Sequence, residues 1–221
     1  MKLWGRRSAF NVQKVMWALA ELGLEHEHIE VGGPFGGLDT PAFLLMNPNG
    51  RIPVLEDDGS VVWESHAIIR YLAATYGAGS LWPSDPGIRS LADRWMDWML
   101  ATLQPAFMNL FWGFFRTPEE HRNVEAVEAA MKQCEKHFAI LDAHLQARAF
   151  VAGESLSMGD IPAATSLYRY FGMGPSVSKI PNVRAWYERL GARAAYRAAV
   201  MVPFEELRGR RDHRQSEIPT A

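Results

Sequence analysis

The chain has 221 residues, 48% hydrophobic and 22% charged, which is the balance of a globular protein with a buried core. Its formal net charge is −2, so no overall field attracts nucleic acid or an anionic membrane. Cys134 is the single cysteine, which excludes an intrachain disulfide and favours a reducing, cytoplasmic setting. Arg6 and Arg7 follow the start of the chain before any apolar stretch develops, so we predict no signal peptide.

The first eighty residues alternate short strand and helix signals. Apolar residues at helical spacing predict a helix over 11–22, which Gly23 ends. Asp58 and Gly59 join two apolar runs, as the turn of a β-hairpin does. The predicted elements are strand 2–5, helix 11–22, strand 26–31, short helix 41–45, strand 53–56, strand 61–63 and helix 65–76. Parallel pairing across the first helix followed by an antiparallel hairpin is typical of a thioredoxin-like domain.

A glycine- and proline-rich linker at 77–87 precedes a second half that is predicted to be wholly helical. The predicted helices are 88–115, 119–146, 158–170, 183–190 and 192–200. Thr117 and Pro118 have the chemistry of a helix start, and Ser157 with Asp160 forms a capping box.

The apolar run at 95–115 could suggest a membrane span, but Asp97, Gln104, Pro105 and Asn109 favour a core helix. The chain therefore divides into a thioredoxin-like domain at 1–80, an all-helical domain at 86–207 and a polar tail at 208–221. The basic residues at 208–214 are interpreted as solvated surface.

Three short stretches of the first half carry residues suited to chemistry. The first is the turn at 6–11, where the amides of a helix start favour an anion such as a thiolate. Ser8 and Asn11 add side-chain donors there. The alternative is that Asn11 only caps the helix.

The second stretch, 47–55, places Pro53 at the head of a strand, where it has no amide to give to the ladder. A cis Ile52–Pro53 bond would leave the backbone of Ile52 free to pair with an extended peptide, whereas a trans proline would simply start the strand. The third stretch is a helix start at Ser65. Such a start suits a carboxylate and Glu64 suits an ammonium, although such a pair on its own is more often just a cap.

In this order and spacing, the three stretches resemble the glutathione S-transferase family, and the likeness extends from residue 2 to about residue 205. The resemblance implies that Pro53 is cis and that Ile52, in a binding stretch with Arg51, pairs with the cysteine backbone of glutathione. It also implies that Glu64 and Ser65 hold the γ-glutamyl group.

Further along the chain, 157–160 and 180–186 are similar to the family's helical domain. A twofold homodimer is implied as well, with the region of Phe43 and Met46 packed on the second subunit.

The sequence departs from the family at one catalytic position. Members with a catalytic serine often place it two residues before the asparagine of the Asn-Val-Gln-Lys run, and this chain has Ala9 there. Ser8 and Asn11 therefore both stand as catalytic candidates for the contact with sulfur. The first half has no cysteine, which argues against a mixed disulfide between the protein and glutathione.

The resemblance implies a transferase that uses glutathione as co-substrate, needs no metal, and directs the thiolate at a small hydrophobic electrophile. The predicted electrophile pocket is Gln104, Asn109, Phe111, Trp112, Phe115 and Arg116. Two other reactions fit the fold: an isomerisation, since Gln104-Pro105 resembles the zeta-type isomerases, and a glutathione-dependent disulfide reduction. Ala9 keeps open a non-catalytic binding protein.

Overall fold

Strands and helices alternate through the first half of the chain, as the computed structural model shows; the structure describes residues 1–174 and 179–210. The elements are β1 (Lys2–Trp4), α1 (Phe10–Glu21), β2 (Glu27–Ile29), a 3₁₀ turn (Gly33–Phe35), α2 (Pro41–Met46), β3 (Val54–Asp57), β4 (Ser60–Trp63) and α3 (Ser65–Tyr76). All seven predicted elements are confirmed, with ends that differ by at most two residues.

The four strands form one mixed sheet in the order β2-β1-β3-β4. β1 is parallel to β2 and antiparallel to β3, and β3 pairs with β4 in an antiparallel hairpin. Asp58 and Gly59 both have positive φ, at 45° and 77°, which is the backbone that a tight hairpin turn requires. The thioredoxin-like pairing expected from the sequence is therefore confirmed.

Alternation along the strands gives the sheet two apolar faces. Leu3 and Leu55 lie in the main core together with α1 and α3. Val54 points to the other face, where it packs with Phe43 of α2. The sheet thus holds α1 and α3 on one side, and the ends of both helices lie near the loops that carry the candidate site.

The first helix of the second half, α4 (Pro86–Trp98), begins two residues earlier than predicted. Asp85 caps it, since its Oδ1 accepts a hydrogen bond from the Ile88 amide at 2.8 Å. Pro86 occupies the first helical turn, where a missing N–H costs nothing. The predicted linker therefore ends at Asp85.

The single helix predicted at 88–115 is interrupted. Two wide π-type turns, Met99–Leu103 and Phe111–Arg116, flank α5 (Gln104–Leu110). Pro105 explains the first turn, because proline has no N–H to give and its ring clashes with the preceding helical turn. In the second turn, the Thr117 hydroxyl donates to the Trp112 carbonyl at 2.9 Å.

The prediction that Thr117 and Pro118 start the next helix is wrong. Residues Glu119–His121 form only a 3₁₀ turn, and α6 spans Val124–Leu145. Asn123 provides its cap, with Oδ1 accepting from the Ala126 amide at 3.0 Å. The acids of the 3₁₀ turn gave the same charge pattern as a true first turn, which is why the sequence misplaced the start.

The chain continues through α7 (Asp160–Gly172), α8 (Pro181–Gly191), α9 (Ala194–Ala199) and a 3₁₀ turn (Glu205–Leu207). Of the predicted tail, only 208–210 is described, and the rest of the basic run, 211–214, lies outside the described residues. Throughout the described ranges, every helix is too short or too polar to cross a bilayer.

Helix α1 joins the two halves. It packs against α3 in the first half and against α7 and α9 in the second. Trp17 stacks edge-on against Tyr196, with ring centroids 4.7 Å apart. Glu21 accepts two hydrogen bonds, of 2.7 and 2.6 Å, from the Arg193 guanidinium. The helix whose start carries the candidate site is therefore fixed by both domains.

Candidate active site

The start of α1 offers unpaired amides to a ligand. Ala9 occupies the cap position, its side chain cannot accept a hydrogen bond, and the first turn has no acid. The first amides of the helix therefore have no intrahelical partner, and they carry the positive end of the helix dipole. This end of α1 is suited to an anion.

Asn11 does not cap the helix. Its residue is half-buried, and its Oδ1 is buried with no hydrogen-bond partner among the described residues. A half-turn of the amide would place Nδ2, a donor, at the same point. Buried polar atoms are nearly always paired in folded proteins, so Asn11 has unused hydrogen-bonding capacity at a helix start that favours anions.

Ser8 lies in the same turn, one residue before Ala9. It is half-buried, and its hydroxyl makes no hydrogen bond to any residue of the described ranges. Its carbonyl accepts from Arg169 Nη2 at 2.7 Å. Both catalytic candidates are thus brought to the start of α1.

The sheet holds this turn from the other side. His28 of β2 has a side chain that is only 3% exposed, and its Nε2 lies 2.7 Å from the Gly5 carbonyl, to which it donates. Burial lowers the pKa of this imidazole below its usual value, which keeps the ring neutral. Arg7 adds an ion pair with Glu30 at 3.3 Å.

The Ile52–Pro53 peptide bond is cis, as the resemblance implied. Within residues 1–174 and 179–210, the Ile52 amide and carbonyl make no backbone hydrogen bond. The preceding Arg51 has an exposed side chain, and its carbonyl accepts from Asn47 Nδ2 at 2.8 Å. The chain therefore presents the backbone of Ile52 at the head of β3 with its polar groups unpaired.

The start of α3 is uncapped in the same way as that of α1. Glu64 has a φ of 67°, an uncommon value for a residue with a side chain, and it makes no capping bond. Ser65 follows at 5% exposure, and the first turn contains no acid. A ligand that carries an ammonium and a carboxylate on one carbon requires two partners. The exposed carboxylate of Glu64 suits the ammonium, and the free amides of the helix start suit the carboxylate.

Comparisons with known proteins identify this arrangement. Two family models match the chain: Glutathione S-transferase, N-terminal domain, at residues 1–74, and Glutathione S-transferase, C-terminal domain, at 103–194. Together they span more than half of the sequence. The chain belongs to the glutathione S-transferase family.

Individual relatives cover nearly the whole chain. Glutathione S-transferase GstB of Escherichia coli strain K12 is 43% identical over 203 residues, which are 91% of this chain and 98% of that protein. Glutathione S-transferase D6 of Drosophila melanogaster is 30% identical over 85% of this chain and 86% of its own. The theta-class glutathione S-transferase of Xanthomonas axonopodis pv. citri, solved with glutathione bound, superposes with a TM-score of 0.88 at 44% identity, covering 91% and 97% of the two chains.

Behind the two helix starts lies a buried polar cluster that the sequence analysis missed. Lys14 of α1 is fully buried; its Nζ lies 3.1 Å from His66 Nε2 and donates to Gln104 Oε1 at 2.5 Å. The same ammonium lies 4.6 Å from the centre of the Phe10 ring. The cluster ties α1, α3 and α5 together in this member of the transferase family.

Burial determines the charges in this cluster. It lowers the pKa of Lys14 from 10.5 to about 7, against the opposing attraction of Glu64. Burial, together with the neighbouring Lys14, also lowers the pKa of His66 to about 2, so the imidazole is neutral and can accept from the ammonium. Lys14 lies four residues after Phe10 and three before Trp17, so it places a charge on an otherwise apolar stripe of the helix. That charge was the signal available in the sequence.

The predicted electrophile pocket is only partly supported. Phe111, Phe115 and Arg116 are 2%, 0% and 4% exposed, so these three present little surface to a pocket and their role at the electrophile stays a prediction. Phe111 and Phe115 stack on each other at 5.4 Å because the long helix needs a buried face. The Arg116 guanidinium donates to the Arg210 carbonyl at 2.7 Å and lies over the Trp112 ring.

The other three predicted pocket residues differ from one another. Gln104 is half-buried, and its amide oxygen accepts from Lys14, which links the two domains. Asn109 is exposed and Trp112 is half-buried. Gln104, Asn109 and Trp112 therefore keep surface that a substrate could contact.

Proposed function

We propose that the chain is a glutathione transferase in which glutathione lies extended along Ile52, with its γ-glutamyl group at Glu64 and Ser65 and its sulfur at the start of α1. The observation that carries the proposal is the buried, unpartnered Oδ1 position of Asn11 beside uncapped helix amides. The unpaired backbone of Ile52 supports the peptide's path. The named transferases that the chain resembles over nine-tenths of its length support the reaction class.

The chemical task is to ionise the thiol of glutathione. A free thiol has a pKa near 8.5, and lowering it by about two units requires ~2.7 kcal/mol of differential stabilisation. One hydrogen bond to the charged sulfur is worth ~1.5–3 kcal/mol, and a helix start ~0.3–1 kcal/mol. Asn11 Nδ2 and the first amides of α1 are therefore sufficient, without a metal or a general base.

We assign the sulfur contact to Asn11 in preference to Ser8. The unpaired atom of Asn11 is buried, where a missing partner costs most, whereas Ser8 is only half-buried. The Asn11→Ala variant is expected to raise the pKa of the bound thiol and to lower kcat/KM at mildly acidic pH by about tenfold to a hundredfold. Ser8→Ala is the matched control, and it should stay close to the wild type. A larger effect of Ser8→Ala than of Asn11→Ala would assign the sulfur contact to Ser8.

Two assays separate the candidate reactions. Conjugation of chlorodinitrobenzene in the presence of glutathione is the result expected for a transferase. Turnover of hydroxyethyl disulfide alone would make the protein a disulfide reductase. Calorimetry at millimolar glutathione tests both, since an absence of heat and of any thermal shift would indicate a binding protein that has lost this ligand.

We also propose a cytoplasmic homodimer. Phe43, which the sequence placed at the subunit contact, is 2% exposed and packs against Trp4 inside the domain. Its neighbour Leu45 is 88% exposed, and α2 lies next to β4, where Trp63 is also exposed. Sedimentation at micromolar concentration should give twice the chain mass of 24.9 kDa, and a single-chain mass would contradict the dimer.

A further inference from the structure

One arginine of the helical domain reaches the turn that carries the catalytic candidates. Arg169 belongs to α7 and is 4% exposed. Its Nη2 donates to the Ser8 carbonyl at 2.7 Å and to Gln13 Oε1 at 3.1 Å. These bonds link residues separated by 161 and 156 positions in the sequence. The second domain thus holds the backbone of the turn directly.

Three aromatic rings surround this guanidinium. Its central carbon lies 5.1 Å from the centre of the Phe111 ring and 5.9 Å from those of Phe10 and Phe204. It makes no ion pair with a carboxylate in the part of the chain that the structure describes. A buried cation without a paired anion is costly, so its retention requires a compensating role.

The charge on Arg169 persists at neutral pH. Burial lowers the pKa of its guanidinium to about 10; the like charges of Arg116 and Arg6 lower it further, and the Glu206 carboxylate opposes them. The group is therefore a fixed positive charge whose hydrogen bonds go to a carbonyl and an amide oxygen. An anion near the Ser8 turn would add a counter-charge to this guanidinium, which has no ion pair of its own among the described residues.

We propose that Arg169 is a positioning residue for the thiolate: by holding the Ser8 carbonyl, it fixes the turn that presents Ser8 and Asn11 at the start of α1, and it places a positive charge behind that turn. The proposal rests on the proposed function. His28 holds the same turn at the Gly5 carbonyl, so the turn is fixed by the sheet at one end and by α7 at the other. Thiol ionisation then depends on the helical domain.

The test compares the pKa of glutathione bound to the wild type, Arg169→Met and Arg169→Lys, from the ultraviolet absorbance of the thiolate and from the pH profile of kcat/KM. Methionine removes the charge and the bonds, and we expect the thiol pKa to rise by about one unit, which lowers the thiolate fraction about tenfold below that pKa. Lysine keeps the charge but is shorter and lacks the planar fork, so a smaller rise is expected. The KM for glutathione should change less than twofold, because the peptide is anchored at Ile52 and Glu64.

Arg189→Met is the matched control. Arg189 of α8 also donates to a carbonyl, that of Ala149, at 2.9 and 3.2 Å, but it lies outside the site. The Arg189→Met variant should leave the thiol pKa of bound glutathione unchanged even if it lowers the melting temperature of the protein. A purely structural role for Arg169 would give the same pattern as this control.

If Arg169→Met folds and the glutathione bound to it has the same thiol pKa as in the wild type, the proposal is overturned. If that variant does not fold, Arg169→Lys decides: a raised thiol pKa supports the proposal, and wild-type thiol pKa and kcat overturn it. Failure of the proposed function would look different, because the wild type itself would then bind no glutathione or bind it as the neutral thiol.

Discussion

Replacing Lys14 by methionine removes a fully buried cation from the junction of α1, α3 and α5. Methionine has a similar length and can fill the same space, so the change acts mainly on charge and hydrogen bonding. The loss leaves His66 Nε2 and Gln104 Oε1 without the donor that they share. The variant therefore removes the buried charge and its two hydrogen bonds together, and the pH dependence of stability isolates the contribution of the charge.

The direction in which stability changes with pH follows from the pKa shift of Lys14. Burial lowers the pKa of Lys14 from 10.5 to about 7, so between these values the unfolded chain binds a proton that the folded chain does not. The free energy of unfolding of the wild type must then rise with pH across this window, by up to about 1.4 kcal/mol per pH unit. Below about pH 7, both states are protonated and the penalty is fully present, at no more than about 5 kcal/mol.

Urea unfolding at equal protein concentration between about pH 7 and pH 10 measures this difference. Lys14→Met should show a flatter dependence on pH than the wild type, so the stability of the wild type should increase relative to that of the variant as pH rises. The exposed Lys132→Met is the control and should follow the wild type. Parallel curves for Lys14→Met and the wild type would refute the claim that this lysine titrates near neutral pH in the folded protein.

Three further substitutions test other parts of the structure. Glu64→Gln should raise the KM for glutathione about tenfold with little change in kcat, since a charge-assisted bond is worth ~1.5–3 kcal/mol; an unchanged KM would remove Glu64 from the site. Arg193→Ala removes the ion pair of the 8%-exposed Glu21 carboxylate, which keeps only its hydrogen bond from Trp17 Nε1, and should lower the free energy of unfolding by about 2 kcal/mol. Arg208→Ala, which breaks an exposed pair, should cost less than about 0.5 kcal/mol, and equal losses would contradict this reasoning. Asp160→Ala strands four buried donors and should cost more than about 3 kcal/mol in urea unfolding, whereas a loss below about 1 kcal/mol would show that water replaces the carboxylate.

Local signals predicted the first domain well. The bounds of α3, Ser65–Tyr76, are those that the sequence indicated, because apolar periodicity begins at one serine and ends at one glycine. The hairpin followed from Asp58 and Gly59, whose backbone preferences act over two residues. In the second half, the segment around Pro105 was predicted as one regular helix, since a long apolar segment has the same period whether the helix is regular or contains wide turns. The next helix was placed too early because the acids after Thr117 have the charge pattern of a true first turn.

The backbone part of the site was also predictable, but the side chains behind it were not. The cis Ile52–Pro53 bond followed from the resemblance, which local proline chemistry permitted. Lys14 and Arg169 were missed because their partners lie 52 to 161 positions away in the sequence. A signal existed for both: each charge stands on an apolar face, and α7 is apolar almost all round, which is typical of a buried helix.

The pKa of the thiol of glutathione bound to the wild-type protein tests the central claim most directly. A spectroscopic titration of the complex should place it about two units below the free value near 8.5, because Asn11 and the uncapped start of α1 stabilise the charged sulfur. A bound thiol that titrates like free glutathione would show that neither group acts on the sulfur.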